Sequence, residues 1–125
     1  MTLDLQRMDW MPSPPLAPLP NPLDLDHLAR MALGDGRLEH EVLAMFAEQS
    51  MELIASMAGL PAETSARAHK LKGSARGIGA FAVAEAAAHL ESAIRTDDNP
   101  SRAFAELKEA VADACNAIEV ILRRS

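Results

Sequence analysis

One cysteine, no tyrosine, three phenylalanines and one tryptophan are all that 125 residues offer of the side chains that staple or anchor small folds. A lone Cys115 excludes an intramolecular disulfide and is compatible with a reducing compartment, where it would act as a small buried hydrophobe. Scarce aromatic and β-branched residues disfavour a sheet, whereas 24 alanines favour helix. Basic residues are in the minority, 12 against 18 acids, for a net charge of −6. That balance argues against a nucleic-acid partner, because such binders gain most of their affinity by neutralising phosphates. No run approaches the ~20 apolar residues of a membrane span. The N-terminus has Asp4 and Asp9 among its apolar residues and lacks the core of a signal peptide. A cytoplasmic protein with neither nucleic acid nor membrane as partner is expected.

What is present suffices for one domain with a tail, since 49% hydrophobic content can bury a single core. Six of the eight prolines lie in residues 1–22, which reads as an extended Pro-rich arm. The arm is either a plain leader or a segment whose Leu3, Leu5, Met8, Trp10 and Met11 dock on the bundle or on a partner. Residues 23–125 form the domain. A short helix is expected over 25–33, closed by Gly34, followed by a long helix capped by Asp35 and running to about residue 57. Its apolar positions are Leu38, Val42, Met45, Phe46, Leu53, Ile54 and Met57. Gly59 suits the left-handed conformation that ends a helix, and Pro61 suits the first turn of the next, over 61–78. Gly77 and Gly79 mark its end. Ala80 then opens a helix to about residue 95, with Val83, Ala87, Leu90 and Ile94 on its buried face. Asn99 and Pro100 cap and start the last helix, which buries Phe104, Leu107, Val111, Ala114, Ile118 and Leu122. Short connections make sequential helices antiparallel, so the fold class is all-α: an up-down four-helix bundle with an additional short N-terminal helix.

Chemistry concentrates in one stretch. Arg67, Lys70, Lys72 and Arg76 place four of the twelve basic residues within ten positions, with no acid from Ser65 to Ile78. His69 lies among them. At ~100° per residue, Ala68, Leu71, Ala75 and Ile78 share one apolar stripe, and His69 falls roughly 140° from its centre, towards solvent. A neutral imidazole is a good nucleophile near neutral pH and can carry a phosphoryl group. Phosphoryl transfer is catalysed chiefly by positioning and by cations that offset charge on the equatorial oxygens. Lys72, three residues on, can reach back towards such a group, while Lys70 and Arg76 add field. Gly73 is conspicuous because glycine inside an exposed helix costs ~1 kcal/mol relative to alanine. There it removes bulk one turn from His69, which would let another protein's active site approach. Packing against a neighbouring helix is the competing explanation.

The run His69-Lys70-Leu71-Lys72-Gly73-Ser74-Ala75, continued by Ile78-Gly79-Ala80, resembles the signature of histidine-containing phosphotransfer (HPt) domains, the intermediate carriers of phosphorelays. The resemblance extends over roughly residues 24–122. It implies that His69 is phosphorylated on Nε2 and exchanges the group with aspartates of response regulator receiver domains. It implies that Lys72 assists the phosphoryl group and that Gly73 makes room for the receiver. The family often has Gln twenty-two residues beyond the histidine, bonded to the other ring nitrogen; here Glu91 stands there. A carboxylate can accept the Nδ1 proton and orient the ring, although Glu91 could instead pair with Arg95 at i,i+4. Arg95 would instead border the receiver interface, with Lys70, Gly73 and Arg76. The expected partners are receiver domains and a hybrid or sensor histidine kinase. A divalent cation is expected in the receiver, with no metal or other cofactor of this chain's own. The basic patch would speed encounter with the acidic receiver pocket. A monomer suffices, because each carrier needs one histidine.

Other readings are a non-catalytic adaptor that binds a receiver, the phosphoacceptor part of a histidine kinase, and a metal-binding bundle. Kinase phosphoacceptor helices usually have an acid directly after the histidine, where this chain has Lys70, and no glycine-rich nucleotide site is visible. The protein therefore reads as a phosphocarrier rather than an enzyme. Paired Glu-x-x-His motifs for a metal are missing. His27, His40 and His89 have no comparable surroundings in sequence.

Overall fold

Asp24, Asp35 and Asn99 each place a side-chain oxygen on free amides at the start of a helix, and these caps set the frame of the fold. The computed structural model describes residues 22–124. The expectation of an arm over 1–22 thus lies, apart from Pro22, outside the described residues. Five helices follow: α1 (Leu25–Met31), α2 (Gly36–Ser56), α3 (Thr64–Ile78), α4 (Phe81–Thr96) and α5 (Pro100–Arg123), with no strand among the described residues. Asp24 accepts from His27 N, Asp35 from Arg37 N and Leu38 N, and Asn99 from Arg102 N. Pro100 occupies the first turn of α5, where its missing amide is no loss.

The four long helices form a closed ring in which α2 contacts α3 and α5, and α4 contacts α3 and α5. Leu43 and Phe46 from α2, Leu71 and Ala75 from α3, Val83 and Leu90 from α4, and Leu107 and Ile118 from α5 meet in one core. Leu28 on α1 is buried as well, and α1 packs against α2 and α3 at one end of the ring. Small buried residues on facing helices, Ala68 and Ala75 on α3 with Ala84 and Ala87 on α4, allow a close approach of the two axes. That approach brings polar side chains of α4 within reach of His69.

Several boundaries differ from the sequence expectation for local reasons. Helix α1 stops at Met31 because Leu33 and Gly34 both take left-handed backbone, with φ of 56° and 76°. Pro61 does not open α3. Gly59 and Leu60 are both left-handed, and Thr64 Oγ1 donates to Pro61 O at 2.7 Å, so the helix starts at Thr64. Gly77 is still helical, and Gly79 alone ends α3, with φ of 86°. Helix α4 starts at Phe81, with Ala80 as its N-cap. On α2 the buried face runs through Leu43, Phe46 and Ser50, which leaves Met45 68% exposed instead of buried.

The junction at Gly79 admits no side chain. A Cβ there would lie 2.9 Å from Asp24 O, in a backbone conformation that L-residues rarely adopt, while Asp24 N donates to Gly79 O at 2.9 Å. Gly79→Ala is expected to destabilise the protein by about 2–3 kcal/mol, combining left-handed strain with displacement of the Asp24 strut. Urea unfolding measures this; a change below about 0.5 kcal/mol would show that the strut yields freely.

Candidate functional site

Helix α3 buries Ala68, Leu71, Ala75 and Ile78, and so turns His69, Lys70, Gly73, Arg76 and Gly77 to solvent. The His69 side chain is 70% exposed. Its Nδ1–H donates to Glu91 Oε2 at 3.1 Å, across the α3–α4 contact. A carboxylate can only accept, so this bond selects the tautomer protonated on Nδ1 and leaves Nε2 as a lone-pair nitrogen in the neutral ring.

Glu91 serves two cations at once. Its other oxygen, Oε1, is buried, and Lys72 Nζ lies 2.7 Å away. Both side chains are more than four-fifths buried, at 19% and 17% exposure, so the pair is weakly screened. Burial alone would raise the Glu91 pKa; hydrogen bonding to Lys72 and His69, reinforced by their charges, outweighs it and holds the carboxyl below its ordinary value. Because the folded value is the lower one, Glu91 adds stability at pH above 4.5 that fades as pH falls through the folded value. Glu91→Gln is therefore expected to cost about 1–2 kcal/mol at neutral pH, with the gap to the native chain closing in acid. Urea titrations at neutral and acid pH test this, and a gap that persists unchanged in acid would contradict it.

Arg95 does not compete for Glu91. Its Nη2 donates to Ser92 Oγ at 3.4 Å, which removes the i,i+4 surface pair as an account of Glu91. Arg67 also leaves the basic patch, since its guanidinium donates to Ser56 O at 2.8 Å and caps the C-terminus of α2. With Lys72 committed to Glu91, the exposed cations on this surface of α3 are Lys70 and Arg76.

Gly73 is exposed, and a Cβ built on it would meet nothing within 4 Å. No neighbouring helix needs that glycine, so packing does not explain it. The bare strip continues at Gly77, which sequence reasoning took only as a helix end; a second glycine eight residues beyond His69 was the available signal. Gly77 O accepts from His27 Nε2 at 3.2 Å, which ties α1 to the end of this helix. The Lys72–Glu91 pair was likewise missed, because it depends on how closely α3 and α4 pack.

Residues 41–120 match the Hpt domain family, a span that includes α3, α4, the His69 site and most of α2 and α5. The chain belongs to the Hpt domain family. No characterised protein and no solved structure gave a match. Hpt domains act in phosphorelays as phosphocarriers rather than catalysts, and the all-helical bundle with a short N-terminal helix is the architecture expected of one. Among the described residues there is no group of three or more His, Cys, Asp or Glu side chains able to hold a metal. No helix among them is long and apolar enough to cross a membrane.

Proposed function

We propose that this Hpt domain carries a phosphoryl group on His69 Nε2, exchanging it with the aspartates of response regulator receiver domains in a multistep phosphorelay. The observation that carries the reading is the division of the imidazole: Nδ1 is committed to Glu91, and Nε2 belongs to a 70% exposed ring beside the open backbone of Gly73. In the forward step the Nε2 lone pair attacks phosphorus and the aspartyl P–O bond breaks, returning a free carboxylate to the receiver. Nδ1 keeps its proton, and the positive charge that develops on the ring faces the Glu91 carboxylate. The reverse step releases a neutral imidazole.

Lys72 shares the Glu91 carboxylate with His69. In the unphosphorylated protein it neutralises Glu91; a phosphoryl group on Nε2 gives its ammonium a second anionic partner. Lys70, Arg76 and Arg95 are exposed and suit a receiver pocket that is acidic and holds its own divalent cation. The carrier needs no cofactor and no ATP site, and it functions as a cytoplasmic monomer between a hybrid or sensor kinase and a receiver.

The test is to mix the protein with a panel of phosphorylated receiver domains. Acid-labile, alkali-stable label on this chain is the expected result. Absence of label across the panel would favour an adaptor that binds receivers without accepting phosphate, and direct labelling by ATP alone would favour a kinase phosphoacceptor.

A further inference from the structure

A carboxylate beside the imidazole constrains the loaded ring in a way that a neutral acceptor does not. His69 Nδ1–H donates to Glu91 Oε2 at 3.1 Å, and Lys72 Nζ lies 2.7 Å from Oε1. A carboxylate can only accept, whereas an amide at the same place could turn and donate its N–H to a bare ring nitrogen. Loss of the Nδ1 proton would therefore leave lone pairs facing each other across 3.1 Å, one of them on an anion. Glu91 is mostly buried, so water does little to relieve that repulsion. Its charge persists as well. Burial opposes ionisation, but bonding to Lys72 and His69 outweighs it and holds the carboxyl below its ordinary value, so Glu91 is an anion at neutral and alkaline pH.

We infer, on the reading of His69 as the carrier, that Glu91 is a positioning residue that locks the proton on Nδ1 of the loaded ring and so keeps the phosphoryl group dischargeable at alkaline pH. The leaving group supplies the reason. When an oxygen nucleophile, water or a receiver carboxylate, attacks phosphorus, the P–Nε2 bond breaks and its electron pair returns to Nε2. With a proton already on Nδ1, the departing ring is neutral imidazole. Without it, the departing ring is imidazolate, a far stronger base and a far poorer leaving group. The loaded, protonated ring carries one positive charge, which the Glu91 carboxylate faces. Phosphoryl oxygens on Nε2 compete with Oε1 for the Lys72 ammonium, and the share they take leaves more of the Glu91 charge to the ring.

The other charges nearby do not hold that proton. The remaining charged side chains of α3 are cations: Arg67, bonded to Ser56 O, and Lys70 and Arg76, both exposed. Those of α4 are Glu85, six residues before Glu91, His89, turned to Glu106 of α5, and Arg95, bonded to Ser92. Glu48 and Glu52 of α2 line a recess with Ser74 and Ile78 of α3, and His27 of α1 is bonded to Gly77 O. Cations along α3 disfavour a charged ring, so the carboxylate bonded to Nδ1 is what retains the proton.

Hydrolysis tests this without a partner protein. The full-length chain is charged with phosphoramidate, a small donor that phosphorylates imidazoles, and loss of the N–P signal is followed by phosphorus-31 NMR after the donor is removed. Near pH 6, the native chain and Glu91→Gln should lose phosphorus at rates within about twofold of each other. At about pH 8.5 the native chain should lose it at least about fivefold faster, because it keeps a proton that the amide releases. A residue that merely aligned the ring would change the rate by one factor at every pH, so parallel profiles would overturn the inference. Circular dichroism at each pH verifies that both chains are folded. A second reading needs no variant: the nitrogen-15 shift of Nδ1 in the loaded native chain should stay at its protonated value up to about pH 8.5, and a change to the unprotonated value near neutral pH would overturn the inference. Failure of the native chain to take up phosphorus on His69 would overturn the carrier reading and the inference with it, whereas a charged chain with parallel profiles would overturn the inference alone.

Discussion

His69→Gln is expected to accept no phosphoryl group from any phosphorylated receiver, a complete loss of acid-labile label measured against the native chain. Glutamine retains polarity and approximate length but has no nucleophilic nitrogen, since its amide lone pair is delocalised. The side chain is 70% exposed, so its replacement removes one hydrogen bond to Glu91 and little packing. Stability should change by no more than about 1 kcal/mol, and the loss of labelling cannot then be ascribed to unfolding. His89 supplies an internal control. Its Nδ1 also donates to a carboxylate, Glu106, at 3.1 Å, and its side chain is 57% exposed. A histidine–carboxylate pair is thus not sufficient to define the site. What His89 lacks is a lysine held beside it and a bare helix face next to it; its carboxylate is shared with the exposed Arg102 instead. His89→Gln should leave labelling intact.

Gly73→Arg should slow transfer from a receiver by about 10–100-fold while making the isolated protein slightly more stable. The two effects come from the same observation. A Cβ at Gly73 meets nothing within 4 Å, so a side chain there is tolerated by the fold and gains the helix propensity that glycine lacks, about 0.5–1 kcal/mol. The same open space is what an approaching receiver must fill to bring its aspartate in line with Nε2, and displacement of the reacting atoms by about 1 Å can cost ~10²-fold. Arginine also adds a positive charge, which alone would favour an acidic partner. A slower reaction would therefore report bulk rather than field. Single-turnover transfer kinetics and urea unfolding on the same variant measure the pair of effects. Unchanged rates would remove the reason for a glycine at this position.

The parts of the fold that were legible in sequence are those governed by local chemistry. Asp35 and Asn99-Pro100 start helices because a short polar side chain can reach amides two or three residues ahead, and no tertiary context is needed to see it. The stripe of Ala68, Leu71, Ala75 and Ile78 orients His69 by periodicity alone. Where two locally acceptable choices competed, tertiary packing decided. Met45 is as apolar as Phe46, but only one of the two can face the core, and the larger aromatic does so. Pro61 is acceptable in a first helical turn, yet the reversal imposed by left-handed Gly59 and Leu60 delays the helix to Thr64.

The candidate site divides in the same way. His69, Lys72 and Gly73 are neighbours along one helix, so their shared surface could be read from spacing. Glu91 was found through the resemblance, as the residue that stands where the family often has Gln, but its second partner was not. Lys72 and Glu91 meet because alanines on α3 and α4 let the helices pack closely, and that closeness is set by the whole core. The Arg95 alternative was equally good by i,i+4 spacing; it failed because the Glu91 carboxylate turns inwards to His69 and Lys72.

The central claim is that Glu91 assigns the two imidazole nitrogens, one to hold a proton and the other to hold phosphorus. It is tested most directly by nitrogen-15 NMR of the His69 ring in the phosphorylated protein, with phosphorus coupling to identify the bonded atom. The structure predicts phosphorus on Nε2 and a proton retained on Nδ1. Phosphorus on Nδ1, or on any residue other than His69, would contradict it.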